Sequence, residues 1–172
     1  MWQFILGSTG FILYFIYDIN SVRMKNAVLQ KFFAAGSILV VVSLIAELYA
    51  AWGSCHRKIG TMTGFGLGGF LFFCLLIYTL FFALPFEETY CEENKLRAAY
   101  TEGMYGLCRH PGVLWFAGAY LCMWGMVGGW KQGIYFFLLI FWNYLYIIFQ
   151  DLWTFPRTLF NYKEYQQSTP FL

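Results

Sequence analysis

Apolar residues fall in five blocks along the chain, about 1–17, 32–52, 63–85, 113–129 and 133–149, and polar residues collect between them. Each block is near the ~20 apolar residues that an α-helix needs to cross a hydrocarbon core of ~30 Å. The connections read "DINSVRMKNAVLQK", "GSCHRKIGTM", "PFEETYCEENKLRAAYTEGMYGLCRHPG" and "WKQG". The last is so short that the fourth and fifth blocks are expected to form an antiparallel hairpin. The pattern predicts an all-α integral membrane protein with five transmembrane helices, and an odd number of spans puts the two ends of the chain on opposite sides.

Composition supports the same solvent: 60% of residues are hydrophobic, 23% aromatic and 12% charged. A chain of 172 residues has room for one bundle, so residues 1–172 are expected to form a single domain. The net charge of +2, with no basic run, excludes a nucleic-acid reader. Its distribution is more informative. Arg23, Lys25, Lys31, Lys95, Arg97, Arg109, Arg157 and Lys163 fall on one side of the five-span scheme, against Arg57, Lys58 and Lys131 on the other. That bias puts the N-terminus outside and the long third loop and C-terminus in the cytoplasm. The first block has no basic leader and no small-residue cleavage site, so it reads as a retained span. The five cysteines (Cys55, Cys74, Cys91, Cys108, Cys122) show no CxxC pair and read as small hydrophobes or free thiols.

Gly64 with Gly68, and Gly125 with Gly129, are small-xxx-small pairs suited to close helix approach. Glu47 is an acid within the second block, shallow enough to reach the interface. The charged run "EETYCEEN" reads as a solvated loop.

The stretch "GMYGLCRHPGVLWF", residues 103–116, concentrates the candidate chemistry. Arg109-His110-Pro111 by itself could be an interfacial anchor, since arginine snorkels and proline suits the first turn of a helix. Gly103 and Tyr105 precede it, and Pro111-Gly112 opens the fourth span, whose N-terminal N–H groups suit an anion such as a carboxylate. His110 and His56 lie on opposite faces, and Cys108 with His110 supplies too few ligands, so no metal is expected. Asp151, beside Gln150 at the end of the last span, opposes the helix dipole and needs a partner: Arg109, a ligand ammonium, or water at an exposed interface.

These residues resemble a known family. "GMYGLCRHPGVLW" is similar to the G-x-Y-x-x-x-R-H-P-x-Y-x-G motif of the isoprenylcysteine carboxyl methyltransferase family, whose clan includes phospholipid N-methyltransferases and part of the sterol reductases. The ending "QDLWTFPRTLFNYKEYQQSTPFL" resembles the family's close, an acidic pair followed by an aromatic, Tyr-x-x-Tyr and Pro-Phe. The likeness runs from about Leu96 to Leu172. It implies a five-span enzyme that takes S-adenosylmethionine from the cytosol and methylates an acceptor held in the bilayer.

Carried over by position, the resemblance implies that Arg97, Ala98, Ala99, Tyr100, Tyr105, His110, Pro111, Gly112, Val113, Gln150 and Asp151 line the cofactor. His110, Arg109 and Asp151 would be the catalytic set. Asp151 would take the cofactor's ammonium, and Arg109 or the amides after Pro111 its carboxylate. His110 is the nearest base for an acceptor that arrives protonated. The motif's second tyrosine and its glycine are Val113 and Trp115 here, and Gln150 replaces an acid. Tyr146 stands where prenylcysteine enzymes carry an arginine for the substrate carboxylate, which widens the expected acceptors to a lipid amine or an apolar thiol. Two alternatives remain, an NADPH-dependent reductase of the related branch and a membrane scaffold without activity.

Overall fold

The computed structural model describes residues 2–53, 57–82 and 98–172. In chain order its helices are α1 Trp2–Ile19, α2 Ala27–Gln30, α3 Phe32–Trp52, α4 Ile59–Phe81, α5 Met104–Leu107, α6 Pro111–Val127, α7 Trp130–Phe149, α8 Phe155–Thr158 and α9 Tyr162–Ser168. The described residues contain no β-strand. Four stretches are long and apolar enough to cross a membrane: Trp2–Met24, Ala27–Trp52, Ile59–Leu80 and Trp130–Thr158. The expected fourth span is α6, which has only 17 residues, about 26 Å at ~1.5 Å per residue. It therefore falls short of the length of the other four.

α1 packs along α3 and α4 along α6, while α7 joins the two pairs by touching both α1 and α6. Phe11, Val40, Tyr120, Phe136, Leu139 and Tyr146 fill the seam, and Phe136 and Leu139 are wholly enclosed. The outward faces are also apolar, with Ile38, Ile45, Leu67, Phe70 and Phe141 exposed. In water that would be a liability; in lipid it is the required surface. With apolar groups on both sides, helix association depends on close packing and on hydrogen bonds made inside the bundle. Ser43 provides one such bond to each neighbour: its hydroxyl donates to the Gln3 carbonyl on α1 at 2.6 Å and accepts from the Tyr135 hydroxyl on α7 at 2.7 Å.

The closest helix approach occurs at glycines other than the expected pairs. A Cβ placed on Gly36 would lie 2.7 Å from the Gly10 carbonyl oxygen, and one on Gly10 would lie 2.8 Å from the Gly36 oxygen. The α1 and α3 backbones thus touch. Of the expected pairs, Gly64 has nothing within 4 Å, Gly68 faces the Cys122 sulfur, and Gly125 lies under the Phe65 ring. Gly129, with Gly128, carries the positive φ that turns α6 back into α7.

Both α1 and α7 end in π-helical turns, Asn20–Met24 and Gln150–Thr154. Pro156 explains the second. Its nitrogen cannot donate, so the normal ladder breaks, and the Phe155 N–H bonds to the Gln150 carbonyl instead. At the first, Asn20 is completely buried and exchanges hydrogen bonds with the Asn26 backbone at 2.9 Å in both directions, while the Asn26 side chain caps α2.

Candidate functional site

The π turn after α7 carries two polar clusters, one facing α6 and the C-terminal segment, the other facing α1. The first is built on Asp151. Arg109 donates to it through Nε, 3.0 Å from Oδ1, and through Nη2, 3.2 Å from Oδ2, the two-pronged geometry that suits a guanidinium and a carboxylate. Oδ1 also accepts from His110 Nε2 at 2.7 Å and from the Tyr162 hydroxyl at 2.6 Å, and Oδ2 accepts from Gln166 Nε2 at 3.1 Å. The Arg109 and Asp151 side chains are only 10% and 5% exposed.

The cluster is also tied to the backbone of the C-terminal segment. Arg109 Nη1 donates to the carbonyls of Gln166, 2.9 Å, and Thr169, 2.6 Å, so the cation also caps the C-terminal end of α9. The backbone N–H groups of Arg109 and His110 donate to Pro170 and Phe171. Residues 109–110 and 169–171 are thereby strapped together, with the His110 ring 4.7 Å from that of Phe171 and stacked at 6.0 Å on that of Phe155. Further out, Tyr165 donates to the Tyr105 carbonyl at 2.6 Å, Tyr105 donates to the Thr79 carbonyl on α4 at 3.1 Å, and the Ala99 N–H donates to Asn161 Oδ1 at 2.6 Å.

Electrostatics follow from burial. An ionised Asp151 can only accept, so His110 Nε2 carries the hydrogen and Nδ1 is the basic nitrogen. Burial holds the His110 imidazole below its ordinary pKa, against the pull of Asp151. Burial, then the bond to the Asp151 carboxylate, pushes the Tyr162 hydroxyl far up, and burial pushes Tyr165 up to about 12. Burial also raises the Cys108 thiol, which is a poor nucleophile in consequence.

Because the His110 pKa is lowered on folding, the native state holds fewer protons than the unfolded chain in acid. Stability is intact above the unfolded value of about 6.5 and is lost as pH falls from there towards the depressed folded value. Thermal midpoints measured at pH 7.5 and 5.5 are expected to fall less in His110→Asn than in the parent; parallel falls would show that His110 is not the titrating group.

The second cluster centres on Asp18, on the last turn of α1 and only 2% exposed. Thr154 Oγ1 lies 3.4 Å from its Oδ2, and Gln150 and Tyr146 also reach its carboxyl. Gln150 Nε2 donates to the Tyr146 hydroxyl at 2.8 Å, and the Tyr146 ring stacks on Tyr14 at 5.3 Å. Asp18 forms no ion pair among the described residues. A buried acid of this kind in a membrane protein is a candidate functional position.

No family model, curated protein or solved structure matches this chain.

The expected site residues therefore divide. Tyr105, Arg109, His110 and Asp151 share the first cluster, with Ala99 tied to it through Asn161. Pro111 and Val113 are buried in the adjoining first turn of α6, and Gly112 lies against Leu76. Ala98 is exposed and Tyr100 is half-buried, edge-on to Tyr105. Gln150 and Tyr146 belong to the Asp18 cluster instead. His56 and the whole "EETYCEENKLR" run, Arg97 included, lie outside the described residues.

Four participants were not singled out in the sequence. Tyr162 and Gln166 stand one helical turn apart in "YKEYQQ", the spacing that puts both on one face of α9. Asn161 precedes them. Asp18 was hidden because it begins the polar connection "DINSVRMKN"; the signal was an acid directly continuing an apolar block.

S-adenosylmethionine offers an ammonium and a carboxylate. Asp151 and Arg109 do not fit either group directly as folded, since each is bonded to the other and to neighbours on this chain. What does fit is a positioning role, with the pair holding His110, the start of α6 and the 169–171 strap in place.

Proposed function

We propose that this protein is an integral-membrane methyltransferase dependent on S-adenosylmethionine, acting on a lipidic or small apolar acceptor such as an isoprenylcysteine carboxylate, a phospholipid amine or a thiol. The observation that carries the reading is the meeting of the two motifs behind the family resemblance: Arg109-His110, at the start of α6, bonds to Asp151 and to the closing Thr169-Pro170-Phe171 segment. In this reading α6 is a fifth crossing, short enough to draw the bilayer slightly thinner around it. The positive-residue bias then puts the site in the cytoplasm.

A bound S-adenosylmethionine would supply an electrophilic methyl group. This chain contributes alignment and exclusion of water, and good alignment is worth roughly 7–11 kcal/mol in such reactions. Arg109 and Asp151 fix the strap, Phe171 and Phe155 flank His110, and neutral His110 keeps Nδ1 free of a proton. Asp18, with Tyr146 and Gln150, provides an anionic position suited to a cationic acceptor more than to a carboxylate.

Titrating S-adenosylhomocysteine into detergent-purified protein tests the reading. At ~100 times its dissociation constant the ligand is expected to stabilise the native state by ~2.7 kcal/mol, seen as a raised melting temperature, with no response to NADPH. A response to NADPH alone would move the assignment to the reductase branch. No response to either favours a scaffold without activity, a reading helped by the complete internal bonding of Asp151.

A further inference from the structure

We propose that Arg23, Trp153 and Arg157 form a binding site for the phosphate of an anionic phospholipid headgroup. Arg23 lies on the π turn that ends α1 and Arg157 on α8, and the two guanidinium carbons stand 5.6 and 5.1 Å from the centroid of the same Trp153 indole. Each such contact holds a guanidinium by roughly 0.5–1 kcal/mol at an exposed position, so one indole gathers two positive charges. The arrangement lacks a counter-charge: both arginines are exposed, and neither has a carboxylate partner among the described residues. The acid nearest in sequence, Asp18, is turned inward on Thr154.

Position identifies the anion. Met24 and Thr154 end or nearly end the stretches Trp2–Met24 and Trp130–Thr158, each able to cross a membrane, so Trp153 sits at a bilayer boundary, the level of lipid headgroups. Met24, Val28, Leu152 and Phe160, in the same or adjoining chain segments, are exposed and add apolar surface suited to the upper part of acyl chains. Two guanidiniums match phosphate oxygens through paired N–H groups, and the indole holds both in register. Arg157 is further fixed by a 2.7 Å bond from Nη1 to the Trp153 carbonyl. Trp153 shares its π turn with Asp151, so a bound headgroup would brace the element that carries the candidate site.

The test is native mass spectrometry of the full chain in detergent, with dioleoylphosphatidylglycerol, dioleoylphosphatidylcholine and inorganic phosphate. Phosphatidylglycerol is expected to bind in preference to phosphatidylcholine. Arg23→Gln/Arg157→Gln is expected to weaken it roughly thirtyfold, from about fivefold per cation near an anionic surface. Trp153→Leu, which keeps both charges, is expected to weaken it about two- to fivefold. Lys58→Gln/Lys131→Gln removes equal charge at the opposite ends of α4 and α7 and is expected to leave binding unchanged. Equal losses in the two double variants would reduce the effect to bulk electrostatics and overturn the proposal. So would equal binding of phosphatidylcholine, an unaffected Trp153→Leu, or displacement of the lipid by inorganic phosphate at comparable concentration.

Discussion

Asp151→Ala is expected to destabilise the protein by about 3–5 kcal/mol, because it leaves the Arg109 guanidinium buried without its counter-charge. The loss extends beyond the ion pair. His110 Nε2, the Tyr162 hydroxyl and Gln166 Nε2 all lose an acceptor, and the strap at residues 169–171 is then held at Arg109 by carbonyls alone. Denaturant unfolding in detergent measures the change. A loss below ~1 kcal/mol would place the pair with exposed salt bridges and contradict its burial. Replacing both partners, Arg109→Met with Asp151→Leu, removes the stranded charge and is expected to recover that part of the loss, while the donors left without Asp151 keep the variant below the parent.

That double variant also separates two roles that the single variant confounds. If Asp151 and Arg109 only position the strap, the double variant folds and still responds to S-adenosylhomocysteine with weakened affinity. If either charge touches the cofactor after a rearrangement, the double variant folds and does not respond. Loss of binding in Asp151→Ala alone decides nothing, since a collapsed strap gives the same result.

The helices were legible in the sequence because membrane helices announce themselves by composition: α3 spans the expected 32–52 block, and α6 and α7 form the hairpin expected from a short connection, although "WKQG" is the first turn of α7 and the turn itself is Gly128-Gly129. Boundaries shifted where polar residues extend a helix at the interface, as when α1 continues through Asp18 to Ile19 and α4 begins at Ile59. The Arg109–Asp151 contact was one of the partners open to Asp151, since an acid at a helix C-terminus needs a cation. Its saturation was not legible. Tyr162 and Gln166 donate from a short helix in the C-terminal segment, and no periodicity in seven residues reports which face meets a residue far away in sequence. Gln150 was assigned to the cofactor and Tyr146 to the substrate by motif position, but their orientation is set by Asp18 across the α1–α7 contact, a tertiary fact.

Glycine spacing misled for a related reason, and this supplies the second large effect. A small-xxx-small pair says that a backbone can be approached, not that one is. Gly36→Ala is expected to cost about 1–3 kcal/mol, because its Cβ would sit 2.7 Å from the Gly10 carbonyl oxygen and 3.0 Å from the Tyr14 ring. A backbone oxygen cannot rotate away as a side chain can. Relief requires α1 to separate from α3, which would also loosen the Ser43 bonds to Gln3 and Tyr135 and the seam around Phe11 and Leu139. Gly64→Ala is the matched control: nothing lies within 4 Å of its Cβ, so the change is neutral or stabilising by up to ~1 kcal/mol through helix propensity. Unfolding midpoints of the two variants in the same detergent should move apart. If instead Gly64→Ala is the damaging change, α4 has a partner at that face, and the α1–α3 crossing at Gly10 and Gly36 is not what sets the packing of the bundle.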